Sequence, residues 1–157
     1  PKEEWDHERY ITIEDEYPVE DMVFDTYQET PELIKVVKNE AGTVRYHSAL
    51  LKSNCRVTSQ PDWGDVYITL EGEHAPDPVS LLEYLVSFRD ECHFHEEICE
   101  ALYKRLLDIC KPDELVVRCL YARRGGIDIN PERRLKHTNK HYSLSDVTVP
   151  YIKTPKQ

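Results

Sequence analysis

The chain has 157 residues, 30 acidic and 20 basic, for a formal net charge of −10. That length fits one domain with extensions rather than two, and the acidic balance argues against nonspecific binding to nucleic acid or anionic membrane, which leaves a small molecule or a protein as the expected partner. No stretch approaches the roughly 18 apolar residues of a membrane span, and the opening "PKEEWDHERY" has neither the basic region nor the apolar run of a secretion signal, so a cytoplasmic location is expected.

Residues 1–42 are acidic, punctuated by proline and weakly periodic; they read as an extension rather than a second core, with "ITIEDEY" at 11–17 as its strand. "TVRYHSALLKS" at 43–53 reads as extended, and "DVYITLEG" at 65–72 puts Val66, Ile68 and Leu70 on one face by strict alternation. "EGEHAPDP" at 71–78, with two prolines, reads as a loop. "SLLEYLVSFRDE" at 80–91 starts at a capping serine, has Glu83 at the capping-box position and repeats Leu81, Leu82, Leu85 and Phe88, which predicts a helix. A second helix follows over 96–110, where Ile98, Leu102, Leu106 and Ile109 make one stripe that Lys111-Pro112 ends. "ELVVRCLYA" at 114–122 reads as a strand, "RRGG" as a tight turn and "IDIN" as the start of another strand. The polar tail from Asn130 reads as an extended arm. The expected organisation is an extension over 1–42, one domain over 43–131 and an arm over 132–157. Strand, strand, helix, helix, strand, strand predicts an α+β fold, an antiparallel sheet with both helices on one face. Its open edges would be covered by oligomerisation.

Three clusters carry chemistry-bearing side chains. Four of the five cysteines, Cys92, Cys99, Cys110 and Cys119, fall in helical or extended, partly apolar segments and read as small buried hydrophobes rather than disulfides. Cys55 instead lies in the polar loop "LKSNCRVTSQPDWG" at 51–64. A thiolate is the best side-chain nucleophile near neutral pH if its pKa is lowered or a base is near. Asp62 serves as proton partner if the turn at Gln60-Pro61 brings it back over the sulfur. The alternative is an inconsequential loop cysteine, with Asp62 capping a turn. In "CHFHEEICE" at 92–100, Cys92, His93, His95 and Cys99 fit no closed zinc pattern, so no metal is expected. His95 and Glu96 at the mouth of the second helix suit another use. A carboxylate there can accept two parallel N–H bonds from a guanine-like edge, and a histidine can pass protons. Otherwise both are ordinary first-turn residues favoured by the helix dipole. In "ARRGGIDINP" at 122–131, arginines and bare backbone N–H groups can meet a phosphate, or form a surface hairpin turn.

Taken in order, "LLKSNCRVTSQPDWG", "LLEYLVSFRDECHFHEE" and "YARRGGIDINP" closely resemble the catalytic module of the NADPH-dependent 7-cyano-7-deazaguanine reductases, the nitrile reductases of queuosine biosynthesis, a tRNA-modification pathway. The resemblance runs from about Ile11 to Pro131. It implies the tunnelling fold, a sheet with two helices on one face assembled into oligomeric barrels. It implies that Cys55 adds to the nitrile as a thioimide and that Asp62 exchanges protons with the thiol and the developing nitrogen. His95 matches the histidine of the family's Phe-His-Glu motif, Glu96 the carboxylate that holds the deazaguanine base, and Arg124 and Gly125 the cofactor contact. Two hydride transfers from NADPH then give 7-aminomethyl-7-deazaguanine.

One departure bears on function. Single-module members carry a Glu-Ser-Lys-Ser run and a further lysine before the first helix, in contact with substrate and NADPH. Here the stretch is "DPVSLL", with Asp77, Pro78, Val79 and Leu82 at those places. Two-module members lack the motif in their C-terminal half and supply it from the other half, so the chain resembles that C-terminal half. The resemblance implies a homo-oligomer, or a hetero-oligomer with an N-terminal-type module carrying the missing motif, and no direct contact with nucleic acid. The alternatives are a thioimide-forming relative that adds ammonia to give an archaeosine-type amidine, and a deazapurine-binding module without catalysis.

Overall fold

Period-two burial builds the central sheet of the computed structural model, which describes residues 7–123, 126–138, 141–147 and 151–153. Strand β1 (Ile11–Thr12) runs parallel to β3 (Thr43–Asn54), which pairs antiparallel with β4 (Pro61–Glu71). Beyond β4 lie β6 (Glu114–Tyr121), β8 (Glu132–Thr138) and β9 (His141–Val147), giving the order β1-β3-β4-β6-β8-β9. Two short ribbons flank it: β2 (Val36–Lys38) with β5 (His74–Pro76), and β7 (Asp128–Asn130) with β10 (Tyr151–Lys153). Val66, Ile68 and Leu70 of β4 and Leu115, Val117, Cys119 and Tyr121 of β6 form the buried face.

Helices α2 (Pro78–Val86) and α3 (His95–Cys110) both cover that face. Leu81, Leu82 and Leu85 from α2 and Ile98, Leu102 and Leu106 from α3 share one core with the strands. Each such fully buried side chain contributes about 1.5–3 kcal/mol of transfer free energy. The opposite sheet face is polar: Arg45, Tyr67, Thr69 and Arg118 line a shallow cleft there. This is the α+β arrangement of two helices on one side of a sheet expected from the element order.

Several boundaries differ from the sequence reading, each for a local reason. The strand at 11–17 stops after Thr12 and becomes one helical turn, α1 (Ile13–Glu16), whose consecutive acids suit a helix N-terminus. Ile13 enters the core. The first long helix begins at Pro78, not Ser80. Asp77 is its cap, accepting from Ser80 N at 3.0 Å, and the ring of Pro78 is preset for the first helical position. The loop expected at 71–78 contains β5. Strand β4 starts at Pro61 rather than at 65, so Asp62 is a strand residue. "IDIN" supplies β7, which pairs with β10 rather than entering the main sheet. The segment 132–138, expected within the arm, is hydrogen-bonded to β6 as β8.

Strand β3 changes phase in its middle. Tyr46 and Ser48 are buried opposite Ile68 and Val66; after a register shift between Ser48 and Leu51, the buried residues are Leu51 and Ser53, opposite Gly64 and Asp62. Ala49 and Leu50 form the bulge, with Ala49 N donating to Glu14 Oε1 at 2.7 Å. A single extra residue reverses the facing of every later side chain. The strand therefore enters the Cys55 loop with its odd-numbered residues toward the helices.

The segment before β2 is tied across the helix layer at Glu29. Its Oε1 accepts from Tyr84 Oη at 2.8 Å and from Arg105 Nε at 3.0 Å, and its N–H donates to Glu91 Oε1 at 3.1 Å.

Candidate functional site

The hairpin between β3 and β4 carries the thiol. Cys55 N donates to Gln60 O at 2.8 Å and Ser59 N to Cys55 O at 2.9 Å, and Ser59 adopts the left-handed conformation with φ of 58°. The thiol is partly exposed. Hydrogen bonds from the Thr58 hydroxyl, then from the backbone of Thr58 and Val57, hold its pKa below the ordinary thiol value, against burial and the negative charge of Asp62. Donors aimed at sulfur favour the thiolate, the form that attacks electrophiles. Elsewhere the chemistry runs the other way. Burial raises Cys110 to about 11, and a hydrogen bond to Cys99, then burial, pushes Cys119 well above its usual value.

Asp62 and His95 meet beneath this loop. Asp62 is the second residue of β4, opposite Ser53 on the helix-facing side, and is 4% exposed; His95 is the first residue of α3 and is 8% exposed. The His95 Nε2–Asp62 Oδ2 distance is 3.1 Å. The connection between the helices is pinned to the end of β3 by Asn54 N to Glu91 O at 2.8 Å and His93 N to Asn54 O at 3.0 Å, which brings the start of α3 alongside Cys55. His95 stacks on Tyr121, with centroids 3.8 Å apart and planes at 6°. His95 Nδ1, Tyr121 Oη and Ser53 Oγ are buried with no hydrogen-bond partner, the condition in which a ligand or water with complementary groups fits.

A polar clamp joins the loop to α3. Arg56 Nη2 donates to Glu97 Oε2 at 2.9 Å, and the Arg56 guanidinium lies 5.3 Å from the Phe94 ring centroid. His93 Nδ1 is 3.3 Å from the same carboxylate oxygen. Glu96, in the first turn of α3, is exposed. Tyr121 has its pKa raised well above the ordinary value, first by burial, then by Cys119, Cys99, Asp62 and Glu96.

The structure thus gathers Cys55, Asp62, His95 and Glu96 at one end of the sheet. Arg124 and Gly125 lie outside the described residues; neighbouring Arg123 pairs with Asp128 at 2.9 Å. Cys92, expected to be buried, is exposed, because it lies in the short bridge to Asn54 rather than on a helix. Among the described residues, no group of three His, Cys, Asp or Glu side chains is arranged to hold a metal ion, and no helix is long and apolar enough to cross a membrane. Thr58, Glu97 and Tyr121 escaped the sequence reading. Tyr121 alone left a signal, as the last position of the alternation Leu115, Val117, Cys119, Tyr121.

Fold and site together define a two-layer α+β protein with a loop thiol beside a buried Asp–His pair. The chain belongs to the QueF-like protein family, whose model matches residues 61–140. It is 45% identical over 118 residues to a protein of Colwellia psychrerythraea named NADPH-dependent 7-cyano-7-deazaguanine reductase, a match covering 73% of this chain and 41% of that protein. A Coxiella burnetii protein of the same name is 43% identical over 126 residues, covering 80% of this chain and 44% of the relative. The chain therefore spans less than half the length of these curated relatives. The crystal structure of an archaeosine synthase QueF-Like in the apo form superposes with a TM-score of 0.56 at 16% identity, covering 61% of this chain and 95% of that one, which shows the shared fold.

Proposed function

We propose that this chain is the nitrile-capturing part of a 7-cyano-7-deazaguanine reductase, with Cys55 as nucleophile, Asp62 and His95 as proton-handling residues and Glu96 as the carboxylate that holds the base. The observation that carries the reading is the Asp62–His95 pair, buried beside a thiol whose pKa is held down, in a chain whose curated relatives bear that name.

The first step follows from these residues. A nitrile carbon is a weak electrophile, so a thiolate must attack it. The Sγ–C bond forms, one π bond of the nitrile opens, and the proton that Cys55 gave up reaches the nitrogen through Asp62, leaving a thioimide with no net change of charge. His95 Nε2 stabilises the Asp62 carboxylate while that proton is in transit. Glu96 accepts two N–H bonds from the base edge and sets the nitrile over the sulfur.

NADPH, when bound, supplies the hydrides that take a thioimide to a primary amine. The described residues at 77–82 do not fit its phosphates: Asp77 is engaged as a helix cap, and Pro78, Ser80, Leu81 and Leu82 are buried. The hydride steps therefore belong to the assembled enzyme rather than to this chain alone. A separate or preceding module of the kind implied by the missing Glu-Ser-Lys motif is part of this proposal, as are assembly into barrels, a cytoplasmic location and cofactor contact by Arg124 and Gly125. That same empty grip favours a second reading, in which ammonia adds to the thioimide carbon and the thiol leaves, giving an amidine.

Incubation with 7-cyano-7-deazaguanine should give a covalent adduct in the intact mass and a new thioimide absorption, and Cys55→Ala should abolish both. Absence of an adduct in the folded wild type would leave only a binding module. NADPH oxidation on adding an N-terminal-type module supports reduction, whereas amidine formed with ammonia supports the second reading.

A further inference from the structure

Tyr121 lies flat against His95, its ring centroid 3.8 Å away and its plane within 6° of parallel, while itself only 5% exposed. Uncharged aromatic pairs prefer offset or edge-on geometry to close face-to-face contact. The surroundings impose this one. Tyr121 is paired across the sheet with Gly64. A Cβ built at Gly64 would stand 3.1 Å from Tyr121 Cδ1, 3.2 Å from Leu120 O and 3.3 Å from Tyr121 Cε1. A side chain at position 64 would therefore press against this ring, closer than a Cβ ordinarily sits. One of these contacts is a backbone oxygen within the β4–β6 ladder, which cannot swing aside. Gly64 follows Asp62 on the same face of β4, so strand, tyrosine and imidazole make one continuous stack.

Resting on the functional reading above, we infer that Tyr121 is a positioning residue for His95, and that Gly64 is the notch that lets it act. The tyrosine plane holds the imidazole in the orientation that puts Nε2 at 3.1 Å from Asp62 Oδ2. Without it the imidazole can rotate about its side-chain bonds, and the Asp62 contact loosens. The Tyr121 hydroxyl makes no hydrogen bond to the protein, so it takes no part in holding the imidazole, and the ring carries that effect. This separates the role from proton transfer by the phenol, which the raised Tyr121 pKa also disfavours.

The test compares Tyr121→Phe, Tyr121→Leu and Gly64→Ala in two assays. In the first, the rate of adduct formation at saturating 7-cyano-7-deazaguanine is read apart from the concentration giving half that rate. Tyr121→Phe should keep the wild-type rate within about twofold. Tyr121→Leu should slow it by roughly tenfold or more, and Gly64→Ala, where the neighbours must give by only a few tenths of an ångström, by roughly threefold or more, each while changing the half-saturating concentration less than about twofold, because a displaced proton-handling group slows reaction more than binding. In the second assay, no substrate is present. The His95 ring-proton signals, assigned by their loss in His95→Gln, should be displaced upfield by the tyrosine ring current in the wild type and in Tyr121→Phe, and not in Tyr121→Leu.

A Tyr121→Leu protein that folds and forms adduct at the wild-type rate overturns the inference, as does a wild-type His95 signal at an ordinary position. A tyrosine serving stability alone would lower the melting temperature of the variants without altering the rate per folded molecule, which also overturns it. If the wild type forms no adduct, the functional reading fails, and the ring-current assay still decides whether Tyr121 positions His95. Should Tyr121→Leu fail to fold, Gly64→Ala with the wild-type rate and signal overturns the inference in its place.

Discussion

Replacing Glu29 by alanine tests whether the segment before β2 belongs to the same folding unit as the helix layer. Tyr84 is fully buried, and its hydroxyl donates to Glu29 Oε1 at 2.8 Å. Its pKa is pushed far above the ordinary phenol value, first by burial and then by Glu29 itself. Glu29→Ala leaves that hydroxyl buried without its acceptor, at a cost of about 1–3 kcal/mol. The side chain of Arg105 is 38% exposed, so its guanidinium recovers water and the lost ion pair adds less than about 1 kcal/mol. The expected loss is about 2–3 kcal/mol. For a chain of 157 residues each kcal/mol lowers Tm by roughly 2–4 °C, so the variant should melt roughly 4–12 °C below wild type. Thermal and urea unfolding monitored by circular dichroism measure both figures. Adding Tyr84→Phe to Glu29→Ala should restore part of the loss, because it removes the stranded hydroxyl. A Tm unchanged within about 1 °C in Glu29→Ala, or a double variant that loses the full sum of the two single effects, refutes the reasoning.

Two further outcomes bear on the site. Thr58→Val removes the leading cause of the lowered Cys55 pKa. Because the thiolate fraction rises as pH rises through the thiol pKa, the midpoint of Cys55 alkylation by iodoacetamide should move to higher pH in the variant, with slower reaction at pH 7; an unmoved midpoint contradicts the assigned cause. Glu96→Leu should weaken binding of 7-cyano-7-deazaguanine by about 2–4 kcal/mol through loss of a bidentate charged contact, roughly 30- to 1,000-fold in Kd by calorimetry. Equal affinity would remove Glu96 from the role proposed for it.

The layered α+β arrangement was legible wherever burial followed one period. Val66, Ile68 and Leu70 announced β4, and the stripe of Ile98, Leu102 and Leu106 announced α3. What escaped depended on partners distant in sequence. The β2–β5 ribbon exists because Val36–Lys38 finds His74–Pro76 across the fold, and nothing in "EGEHAPDP" signals a strand. The boundary at Pro78 turned on a cap exchange in which Asp77, not Ser80, accepts the backbone N–H. Within the site, Cys55 and Asp62 were visible from residue type and resemblance. The contact between Asp62 and His95 was not, because it depends on Asp62 lying in a strand and facing the helices. The Arg56–Glu97 clamp and the Tyr121 stack could not be read from local pattern, since each joins elements far apart in the chain.

The bulge at Ala49 and Leu50 separates two addresses along one strand. Upstream of it, β3 sends Tyr46 and Ser48 toward the helices; downstream, Leu51 and Ser53 take over that direction and lead into the thiol loop. Deleting either bulge residue would set the one that remains opposite Asp65 and leave Leu51 opposite Gly64 and Ser53 opposite Asp62, so the thiol loop would still be delivered from the helix side. The bulge is thus a slack link: it takes up one extra residue without turning the thiol loop to the polar face, so a related chain lacking that residue would present the same motif in the same direction.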